Sequence, residues 1–183
     1  MPLSVHGFLL QHAWHDLPAE VQAVHDRRPL RLVGIATVER GGGWLARLGA
    51  ALTHLPASAC DAPLEVSLSG TASLQRPTEH WVRRFDRSAA MRSRLQARDG
   101  LLVEALGATS MSFRLEADRA GIRWRPSAWR LFGVPMPKRW LSRVEAREFV
   151  DRGQYAFDVR VHLPGVGLVV HYRGRLTIAD TRL

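Results

Sequence analysis

The segment from Gly153 to Ile178, GQYAFDVRVHLPGVGLVVHYRGRLTI, constrains this chain more than any other. Tyr155, Phe157, Val159, Val161 and Leu163 alternate with Ala156, Asp158, Arg160 and His162. Beyond Pro164-Gly165-Val166-Gly167, the residues Leu168, Val170, Tyr172, Leu176 and Ile178 alternate with Val169, His171, Arg173 and Arg175. Period-2 alternation predicts strands with one buried face, so the segment reads as one antiparallel hairpin. Its register can be tested on paper. With Leu163 opposite Leu168, Val161 meets Val170, Val159 meets Tyr172 and Phe157 meets Gly174, all on the apolar face. On the other face Arg160 meets His171, and Asp158 meets Arg173 as an ion pair. An opposite-charge cross-strand pair and an aromatic covering a glycine both favour this register. His162 and His171 are expected on the solvent side.

The rest of the chain follows the same rhythm after a helical start. Asp16 as N-cap, Pro18 in the first turn and Glu20 near the positive dipole end predict a short helix ending near Asp26, with Leu17, Val21, Val24 and His25 on one face. Strand patterns follow at Arg31–Glu39, Leu64–Leu74, Glu79–Phe85, Met91–Ala97, Leu101–Leu106, Met111–Glu116, Ile122–Trp124 and Arg143–Val150. The spacing of Leu45, Leu48, Leu52 and Leu55 predicts a second helix over Trp44–Leu55. Asp99-Gly100 is a hairpin turn signal. Pro126, Pro135 and Pro137 predict an irregular stretch. This order excludes a doubly wound parallel sheet. About eight to ten strands in one unit must curl or close, because an open flat sheet exposes its edges. The expected fold is mainly β: a strongly curved antiparallel sheet or barrel, with two helices from the N-terminal half packed on or in it.

A chain of 183 residues is expected to form one domain. Residues 1–16 read as an N-terminal extension and 17–178 as the core. The single cysteine, Cys60, rules out an internal disulfide and a cysteine-based zinc site. The apolar run at the N-terminus lacks a basic leader and is broken by Gln11 and His12, so neither a signal peptide nor a membrane span is expected, and the chain reads as cytoplasmic. The net charge of +9 comes from 25 arginines and one lysine, Lys138. They are spread along the chain without a block, which argues for a solvated basic surface over a nucleic-acid face.

Few stretches carry chemistry. In Glu79-His80-Trp81-Val82-Arg83-Arg84-Phe85, period 2 puts Glu79, Trp81, Arg83 and Phe85 on one face. Trp81 and Phe85 require burial, so the two charges go inside with them and must be paired. Glu104 on a neighbouring strand is the expected partner of Arg83. Arg40-Gly41-Gly42-Gly43 is a strand exit and no nucleotide fingerprint. His12-x-x-His15 and His25-Asp26 are permissive for a metal, but without an H-E-x-x-H pattern no metal or other cofactor is expected.

Taken in order, Leu17-Pro18-x-x-Val21-x-x-x-His25-Asp26, Gly34-x-x-x-Val38-x-Arg40-Gly41-Gly42-Gly43-x-Leu45-x-Arg47-Leu48, Glu79-x-Trp81-x-Arg83-x-Phe85, Tyr155-x-Phe157-Asp158-Val159-x-Val161-x-Leu163-Pro164 and Gly167-Leu168-Val169-x-His171-Tyr172-x-Gly174-x-Leu176 resemble the bacterial domain-of-unknown-function family 4166 over nearly the whole chain. The resemblance implies no established activity and no catalytic residues. It does imply an accessory or ligand-binding module, since members occur alone or beside dehydrogenase-like Rossmann domains.

The functional expectation is a non-catalytic β module that holds a small, largely apolar ligand or assists a dehydrogenase-like partner enzyme. Glu79, Trp81, Arg83, Phe85, Glu104, Phe157 and Tyr172 are the expected lining. Two alternatives stand beside it: an enzyme using His25 with Asp26, or Glu79, as general base, and a basic surface that binds nucleic acid or anionic membrane.

Overall fold

In the computed structural model, which describes residues 4–26, 28–43, 58–71, 77–86 and 89–179, the sheet closes on itself. Its strands are β1 (Leu30–Arg40), β2 (Ala59–Thr71), β3 (Thr78–Phe85), β4 (Met91–Arg98), β5 (Leu101–Leu106), β6 (Thr109–Asp118), β7 (Gly121–Leu131), β8 (Val134–Pro135), β9 (Val144–Asp151), β10 (Gln154–Leu163) and β11 (Gly167–Ile178). Each pairs antiparallel with its neighbour in the chain, except that β7 passes over the two-residue β8 to reach β9. β1 pairs with β11, and the ring is complete: ten strands form a closed up-and-down barrel, with β8 as an extra strand outside it. Closure removes the exposed edges that an open sheet of this length would carry.

The inner face follows the alternation of the sequence. On β3 the buried residues are Glu79, Trp81, Arg83 and Phe85, and on β4 they are Met91, Ser93 and Leu95. The final hairpin has the expected register from Phe157–Gly174 to Val161–Val170. Near the turn the register shifts by a bulge, so that His162 opposes Leu168 and Leu163 opposes Gly167. Two outer-face expectations need correction. Asp158 lies opposite Arg173 as the register requires, but its ion pairs run to Arg147 at 3.1 Å and His171 at 2.9 Å. His171 is outward on the strand yet buried, because Asp158 and Glu39 flank its ring.

One seam is short. β7 joins β9 only through Ile122–Glu148, Arg123–Arg147 and Trp124–Ala146. Beyond Trp124, β7 continues along β6 as far as Leu131, with a register shift between Ser112 and Phe113 where Pro126 comes opposite Phe113. Pro126 therefore lies within a strand, not in an irregular segment. A 3-10 turn over Lys138–Arg143 leads back into β9, and Trp129 meets Trp140 with ring centroids 5.7 Å apart.

Two short helices plug one end of the barrel: α1 (Val5–Leu10) and α2 (Ala19–Asp26). α1 begins at Ser4, whose Oγ accepts from the Gly7 amide at 3.1 Å. Within the N-terminal stretch 1–16, Val5, His6 and Leu10 are buried. α2 starts later than the sequence suggested. Asp16 ends a 3-10 turn, and the Pro18 carbonyl accepts from the Val21 and Gln22 amides. Leu17, Val21, Val24 and His25 are buried as a stripe facing the barrel. The helix expected over Trp44–Leu55 lies outside the described residues. No helix among the described residues is long and apolar enough to cross a membrane.

Candidate functional site

The barrel encloses a cavity of about 380 Å3. Six of the seven residues expected to line it do so: Trp81, Arg83, Phe85, Glu104, Phe157 and Tyr172. They come from β3, β5, β10 and β11, and each is on an inner-face position of its strand. Phe85 and Phe157 flank Tyr172 with centroids 6.0 and 5.9 Å away. Val159, Val161, Leu106, Met111 and Trp129 extend an almost wholly apolar wall. Glu79 points inward too, but into the helical end and away from this cavity.

Arg83 and Glu104 are the polar feature of the wall. The guanidinium lies 3.3 Å from Glu104 Oε1, donates to Ser93 Oγ at 3.0 Å and covers the Trp81 ring at 4.8 Å. Burial is the largest influence on the Arg83 pKa and lowers it, but the Glu104 charge and hydrogen bond, together with Tyr172 and Tyr155, outweigh it and the net direction is upward. The guanidinium is a fixed cation with a fixed counter-ion. Tyr172 stays protonated beside it, since burial pushes its hydroxyl up to about 12.

The second constellation lies between the helices and the barrel. His6 from α1 and His25 from α2 are fully buried, with ring centroids 3.8 Å apart. Trp81 stacks against both at 5.8 Å, and Trp124 packs at 5.4 Å from His6. His25 Nε2 donates to Glu148 Oε2 at 2.5 Å, and Tyr155 hydrogen-bonds the same carboxylate. Burial works to raise the Glu148 pKa, but the His25 charge and hydrogen bond bring it below the usual carboxylate range. Among the described residues, neither ring nitrogen of His6 has a hydrogen-bond partner, nor has His25 Nδ1. Burial, then the His25 charge, lowers the His6 pKa to about 3, so His6 is neutral at neutral pH.

Glu79 closes this end. It accepts from the Val5 amide at 2.9 Å, from Arg28 at 2.5 Å and from Trp81 Nε1 at 2.9 Å. Burial opposes ionisation, yet neighbouring charges and these donors lower its pKa to about 2. With His6 neutral, Arg28 is the cation that keeps Glu79 ionised. A carboxylate held this far below the usual range, with three donors on its oxygens, is a weak base for proton abstraction. Asp26 is exposed while His25 is buried, so the expected His25-Asp26 pair does not form. His12 and His15 are exposed on a 3-10 turn and join no metal-ligating group among the described residues.

Sequence reasoning did not single out His6, Arg28, Trp124, Glu148 and Tyr155 as neighbours of Glu79 and Trp81. A usable signal existed for Glu148. On β9 it shares the inner face with Val144 and Ala146, which marks an inward acid in need of a partner. His6 carried no such signal, because six helical residues are too few to show a period.

Comparisons with known proteins add the following. No curated protein matches the chain. A crystal structure of Rv2717c from M. tuberculosis is similar at 13% identity, with a TM-score of 0.45, covering 90% of this chain and all of that one. The sequence profile of the family described as domain of unknown function DUF4166 matches residues 17–176. That span runs from the start of the α2 segment to the inner face of β11, and on it the chain belongs to the DUF4166 family.

Proposed function

We propose that the barrel holds a small, largely apolar molecule carrying one neutral polar group. The cavity of about 380 Å3 carries this reading. Its size falls in the range of small-molecule pockets, roughly 300–1,000 Å3, which are mostly apolar with a few convergent polar groups. The polar groups here are the Arg83–Glu104 pair and the Tyr172 hydroxyl. Arg83 is already neutralised, so a ligand carboxylate would meet the like charge of Glu104. A hydroxyl or carbonyl group suits the site better: it can accept from Arg83 or Tyr172 and, for a hydroxyl, donate to Glu104.

The test is titration with the neutral solvatochromic dye Nile red. One saturable site per chain with blue-shifted emission is expected. Val161→Phe and Val159→Phe, which place a ring in the cavity, should each weaken dye binding at least tenfold while the fold persists by circular dichroism. Equal dye binding by wild type and both variants, or no saturable binding, would sink the proposal.

A further inference from the structure

The geometry points to a divalent transition-metal site between the N-terminal helices and the barrel wall, with His6, His25 and Glu148 as ligands and zinc as the metal of choice. It is distinct from the apolar cavity reading and stands whether or not that cavity holds a molecule.

His6, His25 and Glu148 each offer one ligand atom, and these atoms all lie within 4.8 Å of one another. All three residues are buried. Two imidazoles and a carboxylate are a common catalytic set for Zn2+ and also suit other first-row divalent ions. Metal–nitrogen and metal–oxygen bonds of about 2.0–2.2 Å place tetrahedral ligand atoms roughly 3.3 Å apart. The observed cluster brackets that spacing. His25 Nε2 and Glu148 Oε2 are closer, at 2.5 Å, because a proton lies between them. A metal displaces that proton to solvent, and the pair opens by under about 1 Å as the ion takes its place.

The unsatisfied nitrogens make the case stronger than proximity alone. A buried polar group without a partner loses its hydration with nothing in return. His6 leaves both nitrogens without one, in a pocket walled by Trp81 and Trp124. An imidazole nitrogen that carries no proton offers its lone pair to a metal. A metal ion would take that lone pair, and no protein donor among the described residues does. Tyr155 supplies the outer-shell bond, donating to Glu148 and orienting the carboxylate. Glu148, Trp81, Trp124 and Tyr155 also border the cavity, so the cluster adjoins it. Glu79 stays outside the set: its oxygens already accept from Val5, Arg28 and Trp81.

The experiment uses the full chain and Co2+ as a spectroscopic stand-in for Zn2+. One Co2+ per chain is expected, with the strong visible d–d absorption of a four- or five-coordinate ion, displaced by stoichiometric Zn2+. His6→Gln and Glu148→Gln should each weaken affinity at least a hundredfold, measured by competition with a chromophoric chelator. The double variant His12→Gln/His15→Gln, at the exposed histidines, should bind like wild type. If His6→Gln fails to fold, the side-chain 15N resonances of wild-type histidines decide: Zn2+ must shift two imidazoles that are absent from the spectrum's solvent-exposed set. No binding at one equivalent, or binding abolished by His12→Gln/His15→Gln and kept by His6→Gln, overturns the proposal.

Discussion

Phe157 lies across Gly174 on the neighbouring strand, so close that a Cβ at position 174 would meet the ring Cζ at 2.9 Å and the Ile35 carbonyl oxygen at 2.3 Å. The glycine is fixed from two sides: by an aromatic ring within the barrel and by the β1 backbone. Gly174→Ala should destabilise the fold by about 1–3 kcal/mol, as overpacking does. Adding Phe157→Leu should not restore stability, because the Ile35 carbonyl is main chain and cannot yield. Chemical denaturation of the single and double variants checks both expectations. Full rescue by Phe157→Leu would place the whole conflict in the ring.

Arg83 and Glu104 are the charged pair of the cavity wall and each depends on the other. Glu104→Gln should cost about 2–3 kcal/mol, a little under the 3–5 kcal/mol of a fully buried pair, since both groups keep some exposure. Replacing both, as Arg83→Met/Glu104→Leu, should recover most of the loss. Urea denaturation midpoints at neutral pH measure the set, and a double variant no more stable than Glu104→Gln would show the pair to be net stabilising.

Glu79 makes stability acid-sensitive in a defined window. Its pKa is lowered from 4.5 to about 2 in the folded chain, so its contribution is complete above 4.5 and is lost as the pH falls towards 2. The shift corresponds to roughly 3 kcal/mol. Thermal melts between pH 6 and pH 3 should show wild type losing more stability than Glu79→Gln, whose uncharged amide removes this titration. Parallel curves would place the acid response elsewhere.

Tyrosine absorbance gives an alkaline counterpart. The chain has two tyrosines, Tyr155 and Tyr172. In Tyr155→Phe the remaining phenol, Tyr172, should ionise near 12, well above the ordinary 10, because burial penalises its anion. The raised pKa stabilises the fold below pH 10, and that contribution disappears as the pH climbs towards 12. Ultraviolet titration of the folded variant should show little tyrosinate at pH 10.5, and a midpoint near 10 would mean that Tyr172 is wet.

What could be seen in the sequence was local and periodic. Glu79, Trp81, Arg83 and Phe85 share a face because a strand has period 2, and the pairing of Arg83 with Glu104 follows from the rule that an inward charge needs a partner. Phe157 over Gly174 follows from counting outwards from the turn, although the bulge beside Val161 displaces the last two pairs. Long-range relations were beyond the same reading. His25 meets Glu148 across 123 residues of sequence, and nothing near His25 announces a strand so far away. The sequence offers Asp26 instead, one residue on, but consecutive residues of a helix point about 100° apart, which carries Asp26 to solvent. Pro126 was a sound breaker signal, yet the register shift against β6 lets the strand pass it.

The three residue pairs that join β7 to β9 also set where the chain can change length. Every other junction in the wall is a longer ladder, so an added residue there slips a whole row of side chains from inside to outside. After Trp124 the return path through β8 and the 3-10 turn carries exposed Phe132 and Val134 and few ladder bonds. Relatives that differ in loop size should differ there first, between Leu131 and Val144, and a reporter peptide spliced at Gly133 should leave the rest of the wall in register.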